Sequence, residues 1–167
     1  MTCLHCNDQA PLLRVIDATH YYGGRKGCAG VSFELWPGEV VAIVGESGSG
    51  KSTLLSLISG RLPLTSGTVV YRDALGRDRD MGSMSEGERR RLLRTEWGFV
   101  HQNPRDGLRM RVSAGGNIGE RLMACGARRY GDIREAGRDW LCRVEIPEER
   151  LDDQPTAYSG GMQQRLQ

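Results

Sequence analysis

The chain lacks any apolar stretch approaching the ~18 residues that cross a membrane as a helix, so no spanning segment is expected. Its first residues, Met1-Thr2-Cys3-Leu4-His5-Cys6-Asn7-Asp8, lack a basic region followed by an apolar run, so they do not read as a secretory signal. It lacks a charge imbalance. The 23 Lys plus Arg nearly match the 21 Asp plus Glu, and a net charge of +2 exerts no general pull on nucleic acid or anionic membrane. It lacks an even set of cysteines. Cys3, Cys6, Cys28, Cys125 and Cys142 are odd in number and irregular in spacing, which argues against a disulfide framework. Cys3-x-x-Cys6, with His5 between, has the spacing of half a zinc site, but no second pair completes four ligands. These two cysteines read as free thiols. Internal repeats and low-complexity segments are absent. What is present, 38 % apolar and 26 % charged residues, suits one soluble globular domain, expected in the cytoplasm.

Lysine is also scarce. Arginine supplies nearly all the positive charge, and the two lysines are Lys26 and Lys51. Lys51 stands in Gly45-Glu46-Ser47-Gly48-Ser49-Gly50-Lys51-Ser52-Thr53, which fits G-x-x-x-x-G-K-[ST]. Random placement of this composition gives that pattern roughly 0.4 % of the time. Each position has a chemical reason. The glycines let the backbone curl so that its N–H groups converge on one anion. Lys51 brings a point charge to the β- and γ-phosphates, and the Ser52 hydroxyl is suited to Mg²⁺. The helix that follows aims its positive end at the phosphates. The apolar run Val40 to Val44 enters the loop and Leu54 to Ile58 leaves it, giving the strand, loop and helix order the motif requires. A nucleoside triphosphate is the expected ligand.

Leu12 to Tyr22 reads as a strand, Gly23 to Gly27 as a loop, and Val31 to Leu35 as a half-buried strand. The Pro37-Gly38 turn predicts a hairpin between Val31–Leu35 and Glu39–Val44. Thr68 to Tyr71 reads as a short strand, and Arg72 to Gly82 as a polar surface insertion. Ser85 and Glu88 form a capping box that opens a helix through Arg94. The basic side of that helix (Arg89, Arg90, Arg91, Arg94) carries no aromatic interleaving, so a solvated or protein-docking face is favoured over nucleic acid. Trp97 to His101 reads as a strand that must end at Pro104. Asn117 to Met123 and Asp132 to Val144 read as helices, the second with Ile133, Ala136, Trp140 and Leu141 on one face. A β-rich part followed by a mostly helical part differs from the alternation of doubly wound folds.

Three further features follow the phosphate loop in order: Tyr22 before Gly23-Gly24, Gln102 at a strand end, and Tyr158-Ser159-Gly160-Gly161-Met162 opening a helix. Each alone is weak. Together with the loop they resemble the ATP-binding subunits of ATP-binding-cassette (ABC) systems. The resemblance implies an α/β P-loop NTPase fold of ABC type, with a β-rich ATP-binding core (residues 1–103) and a helical subdomain (residues 104–167). It implies ATP and Mg²⁺ as cofactors. It implies that Tyr22 stacks on adenine and that Gly45, Ser47, Gly48, Ser49, Gly50, Lys51, Ser52 and Thr53 hold the phosphates. Ser52 and Gln102 would meet Mg²⁺, and Gln102 the attacking water. Ser159, Gly160 and Gly161 would cap ATP held by a second subunit in a head-to-tail dimer. Tyr158 and Met162 replace the Leu and Gln of the usual L-S-G-G-Q pattern, a variant similar to the branch of peptide and nickel importers.

Leu35 to Val40, Arg90 to Gly98 and Val112 to Ala124 are more specifically similar to the ATP-binding protein of the bacterial phosphonate carbon–phosphorus lyase system. That resemblance implies lyase-core subunits or a membrane permease as partners, peripheral to the inner membrane, and no nucleic acid. The ABC pattern continues beyond the signature with an apolar strand ending in Asp-Glu and then a histidine. Neither occurs before Gln167, and His5, His20 and His101 all precede the signature. The chain therefore reads as an N-terminal fragment, truncated after the signature, whose own turnover is expected to be negligible. Three rivals stand beside this reading: the ATP-binding subunit of a dipeptide, oligopeptide or nickel importer, a P-loop small-molecule kinase, and a non-catalytic nucleotide-gated module.

Overall fold

The computed structural model describes residues 10–167, so Cys3, His5 and Cys6 lie outside the described residues. By its internal contacts the chain forms two units, Met1–Arg89 and Arg90–Gln167.

The first unit is built on an antiparallel sheet. β1 (Leu13–Tyr22) and β2 (Arg25–Leu35) are joined through Gly23-Gly24, with Tyr22 opposite Arg25. β3 (Ser66–Arg72) pairs with the other edge of β1, and β4 (Asp78–Asp80) with β3, giving the order β2-β1-β3-β4. Leu13 and Val15 alternate inward, and a bulge then restores the inward phase at Ala18 and His20. Asp17 sits at that bulge with φ +48°. The Ser32 hydroxyl holds it there, accepting from the Asp17 N–H at 2.8 Å and donating to its carboxylate at 3.0 Å. Val15, Ala18 and Val69 are almost fully buried. α1 (Lys51–Ile58) buries Leu54, Leu57 and Ile58 and packs near β1 and β2.

Two readings of this unit change. The Pro37-Gly38 turn forms, with the Glu39 N–H on the Trp36 carbonyl at 3.0 Å. The hairpin beyond it does not. The tight Gly23-Gly24 turn commits β2 to β1 instead, and residues 39–44 join no strand among the described residues. Val40 and Val44 are consequently about nine-tenths exposed. Residues 72–82 are more than a surface insertion. They fold back as β4, with the Asp73 carboxylate accepting from the Leu75 and Arg77 N–H groups at 3.0 and 2.9 Å, while Met81 is buried. The Arg77 side chain pairs with the same carboxylate and holds its pKa below the usual aspartate value.

α2 (Glu86–Thr95) begins at the expected box. The Glu88 carboxylate accepts from the Ser85 N–H at 3.0 Å and its hydroxyl at 2.8 Å, and the Glu88 N–H donates back to that hydroxyl at 3.3 Å. The unit boundary falls inside α2, whereas the sequence reading divides the chain at 103/104.

The second unit comprises α3 (Ala114–Ala124), α4 (Tyr130–Arg143), short 3₁₀ turns at Pro104–Asp106, Glu148–Asp152 and Pro155–Ala157, and α5 (Gly160–Leu166). Leu108, Ala114, Leu141, Ile146, Leu151, Tyr158 and Leu166 form its core. Residues 97–101, expected as a strand, are not one among the described residues. Their backbone is instead engaged by side chains. The Arg121 guanidinium donates to the Leu93 carbonyl at 3.1 Å and to the Trp97 carbonyl. The Gln167 side-chain amide meets both backbone groups of His101, accepting from its N–H at 2.6 Å and donating to its carbonyl at 2.9 Å.

The inward face of α4 is also rotated from the expected one. Gly137 and Leu141 are buried, and the Leu151 side chain packs so close to Gly137 that a Cβ there would press on it. Trp140 is 49 % exposed, with the Arg143 guanidinium 5.0 Å from its ring centroid. Two substitutions test which face is the core. Leu141→Ala should cost about 2–5 kcal/mol of unfolding free energy. Trp140→Ala should cost under about 1 kcal/mol. Urea unfolding of the two variants measures both, and equal costs would refute the assignment.

Candidate functional site

The glycine loop is positioned by close approach to β2. Gly50 is the N-cap of α1 at φ +96°, and a Cβ on it would fall inside contact distance of the Gly27 carbonyl oxygen and press on Cys28. Only glycine meets both demands. Gly48, at φ +82°, turns the loop ahead of it, and the Ser49 N–H closes a turn on the Glu46 carbonyl at 3.2 Å. Because Gly50 has no side chain, α1 has no side-chain cap. The first-turn N–H groups of Lys51, Ser52 and Thr53 have no acceptor within the helix, the arrangement that suits an anion.

Lys51 supplies the matching cation. Its Nζ donates to the Gly45 carbonyl at 2.8 Å, the Glu46 carbonyl at 2.5 Å and the Ser49 Oγ at 3.4 Å. The ammonium is thus held over the loop by its own carbonyls, and among the described residues no carboxylate pairs with it. The Ser52 side chain is exposed on the first turn of α1. The loop from Gly45 to Ser49 is open to solvent, Ser47 included.

Tyr22 lies at the end of β1 beside this loop. Its hydroxyl is 3.4 Å from the Thr53 Oγ1, and its ring packs edge-on against His20 at 4.5 Å between centroids. His20 is buried and its Nδ1 is 2.9 Å from the Pro63 carbonyl, so the ring that supports Tyr22 is itself fixed. Half of the Tyr22 surface remains exposed. The structure therefore brings Tyr22 and the residues Gly45 to Thr53 together in the first unit. That His20 supports Tyr22 was not legible in the sequence, where the histidine carries no motif.

Gln102 and the Ser159-Gly160-Gly161 stretch belong to the second unit. Gln102 is exposed in the turn before Pro104–Asp106, one residue beyond the His101 backbone that Gln167 engages. Gln164 from α5 also donates to the His101 carbonyl, at 3.3 Å. The segment carrying Gln102 is thereby tethered to α5. Ser159 is the N-cap of α5, its Oγ accepting from the Met162 N–H at 3.3 Å, and Ser159, Gly160 and Gly161 are all exposed. Tyr158 is buried. Burial raises its pKa, while the charge of Arg150 acts the other way. Asp152 and Asp153 do not present free carboxylates. Asp152 is gripped in bidentate fashion by Arg134 at 2.6 and 2.8 Å, and Asp153 pairs with Arg150 at 2.8 Å.

Comparison with known proteins places this geometry. The family described as "ABC transporter" matches residues 28–167. The chain is 63 % identical over 157 residues to Escherichia coli PhnK, named as an ATP-binding protein of phosphonates utilization, covering 94 % of this chain and 60 % of that one. It is 35 % identical over 153 residues to the dipeptide transport ATP-binding protein DppD of Bacillus subtilis, covering 90 % and 46 % respectively. The chain thus spans about half to three-fifths of the length of these relatives. Among solved structures it superposes on the ATP-binding cassette MJ0796, a dimer bound to ADP and Pi, with a TM-score of 0.80 and 27 % identity, covering 92 % of this chain and 66 % of that one. It superposes on cbiO1 from Clostridium perfringens with a TM-score of 0.71 and 26 % identity, covering 93 % and 59 %. The expected fold class, an α/β P-loop ATPase with a β-sheet core and a helical subdomain, is borne out. With a glycine loop that ends at the Gly50 N-cap of α1, a helix that opens at Ser159-Gly160-Gly161 and a family match over five-sixths of the residues, the chain belongs to the ABC transporter family.

Proposed function

We propose that this chain is the nucleotide-binding part of an ABC-type ATPase subunit that serves phosphonate carbon–phosphorus lyase or uptake chemistry in the cytoplasm. The observation that carries ATP binding is the Lys51 ammonium held at 2.5–2.8 Å from the Gly45 and Glu46 carbonyls, at the uncapped start of α1. The observation that favours phosphonate over peptide substrates is the 63 % identity to PhnK against 35 % to DppD. In this reading the functional division of the chain follows role: an ATP-binding core through residue 103 and a helical subdomain from 104.

The donor set fits MgATP. Gly45, Ser47, Gly48, Ser49, Gly50, Lys51, Ser52 and Thr53 offer backbone N–H groups, one ammonium and hydroxyls, and among the described residues no acidic side chain pairs with the Lys51 charge. Tyr22 offers a half-exposed aromatic face for adenine. Ser52 and Gln102 would hold Mg²⁺, which when bound supplies charge neutralisation at the β- and γ-oxygens. Lys51 moves no proton in this scheme. It orients the γ-phosphate and offsets charge that grows toward the transition state. Gln102 orients water. Ser159, Gly160 and Gly161, exposed at the start of α5, face ATP on the phosphate loop of a second subunit. The dimeric ATP-binding cassette among the structural matches supports a partner subunit of this kind. Among the described residues no helix is long and apolar enough to cross a membrane.

Lys51→Ala should lower ATP affinity at least tenfold, since charge-assisted hydrogen bonds contribute roughly 1.5–3 kcal/mol each. Calorimetric titration of both forms measures this, and an unchanged affinity would overturn nucleotide binding at this loop. The 167-residue chain alone should turn over ATP no faster than its Lys51→Ala form, as read by phosphate release. Affinity capture of the full-length protein from its own cells decides between the two substrate readings. Lyase-core subunits are expected, and peptide permease subunits would replace the phosphonate assignment.

A further inference from the structure

Outside the phosphate loop, one side chain that no motif contains makes contacts on both sides of the exposed Ser159-Gly160-Gly161 stretch. Arg150 lies in the 3₁₀ turn Glu148–Asp152, ahead of the Ser159-Gly160-Gly161 stretch. Its Nε donates to the Asp153 carboxylate at 2.8 Å, and its Nη2 donates to the Ala157 carbonyl at 2.9 Å. Its Nη1 lies 3.6 Å from the Met162 sulfur. Its Cζ sits 4.8 Å from the Tyr158 ring centroid. Its own carbonyl accepts from the Tyr158 hydroxyl at 2.7 Å. One residue therefore grips the chain at 153, 157, 158 and 162, on both sides of the three exposed residues.

We propose that Arg150 is a positioning residue that sets the geometry of Ser159-Gly160-Gly161 by clamping the loop before it and the first turn of α5 after it. The inference rests on the functional reading above for its effect on catalysis, but not for its effect on the loop. Three physical points carry it. The first is shape. A planar fork reaches an oxygen on each of two sides and still presents a face to an aromatic ring, which a lysine ammonium cannot do at once. The second is which residues it touches. Tyr158 and Met162 are the two positions that depart from the L-S-G-G-Q pattern, and both contact Arg150. A leucine at 158 would offer neither the hydroxyl nor the ring face. The third is energy. The Arg150 side chain is 31 % exposed and that of Asp153 44 %, so their ion pair adds little to global stability. What the contacts fix is conformation: the direction in which the buried Tyr158 hands the chain to Ser159.

The test uses the full-length protein and three variants, Arg150→Ala, Arg150→Lys and Ser159→Arg. Hydrogen exchange of the amides from 157 to 163, without nucleotide, reads the clamp independently of any ATP chemistry. Arg150→Ala should speed that exchange about tenfold or more, while the amides of β1 and β3 keep their protection. In steady state the same variant should lower kcat about tenfold, with ATP affinity of the subunit's own phosphate loop unchanged within about twofold. Arg150→Lys should recover only part of either effect, because a point charge replaces the fork. Unchanged exchange in Arg150→Ala, or full recovery by Arg150→Lys, overturns the clamp. Faster exchange with no loss of kcat overturns its catalytic consequence, provided Ser159→Arg is inactive. If Ser159→Arg turns over ATP like the natural protein, the functional reading fails, and exchange alone then decides the clamp.

Discussion

The fit of one residue against one carbonyl underlies the first unit's chemistry. Gly50 must sit in the left-handed region to end the loop and begin α1, and it must do so against the Gly27 carbonyl on β2. No side chain satisfies both conditions. The β1–β2 hairpin is therefore more than a scaffold beside the loop. It sets the height at which α1 starts, and with it where the Lys51 ammonium rests. The same hairpin carries Tyr22 at the far end of β1, fixed edge-on to a buried His20. The Tyr22 ring and the glycine loop thus share one support, with the inward side chains of β1 and β3 behind it.

The second unit solves a different problem. Ser159, Gly160 and Gly161 are exposed there, and glycines cannot by themselves define a direction for the chain. The definition comes from neighbours. Tyr158 is buried in the core formed with Leu141, Ile146 and Leu151, and Arg150 ties the flanks together. α5 also reaches back through Gln164 and Gln167 to the backbone at His101, next to Gln102. Within one unit, then, side-chain hydrogen bonds join the segment that carries Gln102 to the helix that follows the serine and glycines.

Reading from sequence succeeded where the interaction is local. The capping box at Ser85 and Glu88 depends on residues three apart, and forms as read. The turn at Pro37-Gly38 depends on two residues, and also forms. Reading failed where a partner is remote. Residues 39–44 and 97–101 have the apolar character of strands, but a strand needs another strand to complete its backbone hydrogen bonds. Among the described residues they have none, and side chains such as Arg121 and Gln167 serve the second segment instead. The face of α4 failed for a related reason. Spacing alone puts Trp140 and Leu141 on one stripe, but the close seam at Gly137 and Leu151 selects a narrower face that leaves Trp140 in solvent.

The sequence by itself determined the family, the phosphate loop and the order of the motifs. These rest on residue type at fixed short spacing: glycines where the chain must curl, one lysine for charge, a serine ahead of two glycines. Only the tertiary structure decided what holds those motifs in place. Pro63 behind the His20 that supports Tyr22, Gly27 beneath Gly50, and Arg150 astride residues 153 to 162 are contacts across 43, 23 and up to 12 positions that no local pattern encodes. The reason is physical. A motif states which groups a ligand needs. Their direction in space is fixed by packing and hydrogen bonds from side chains that have no part in the chemistry.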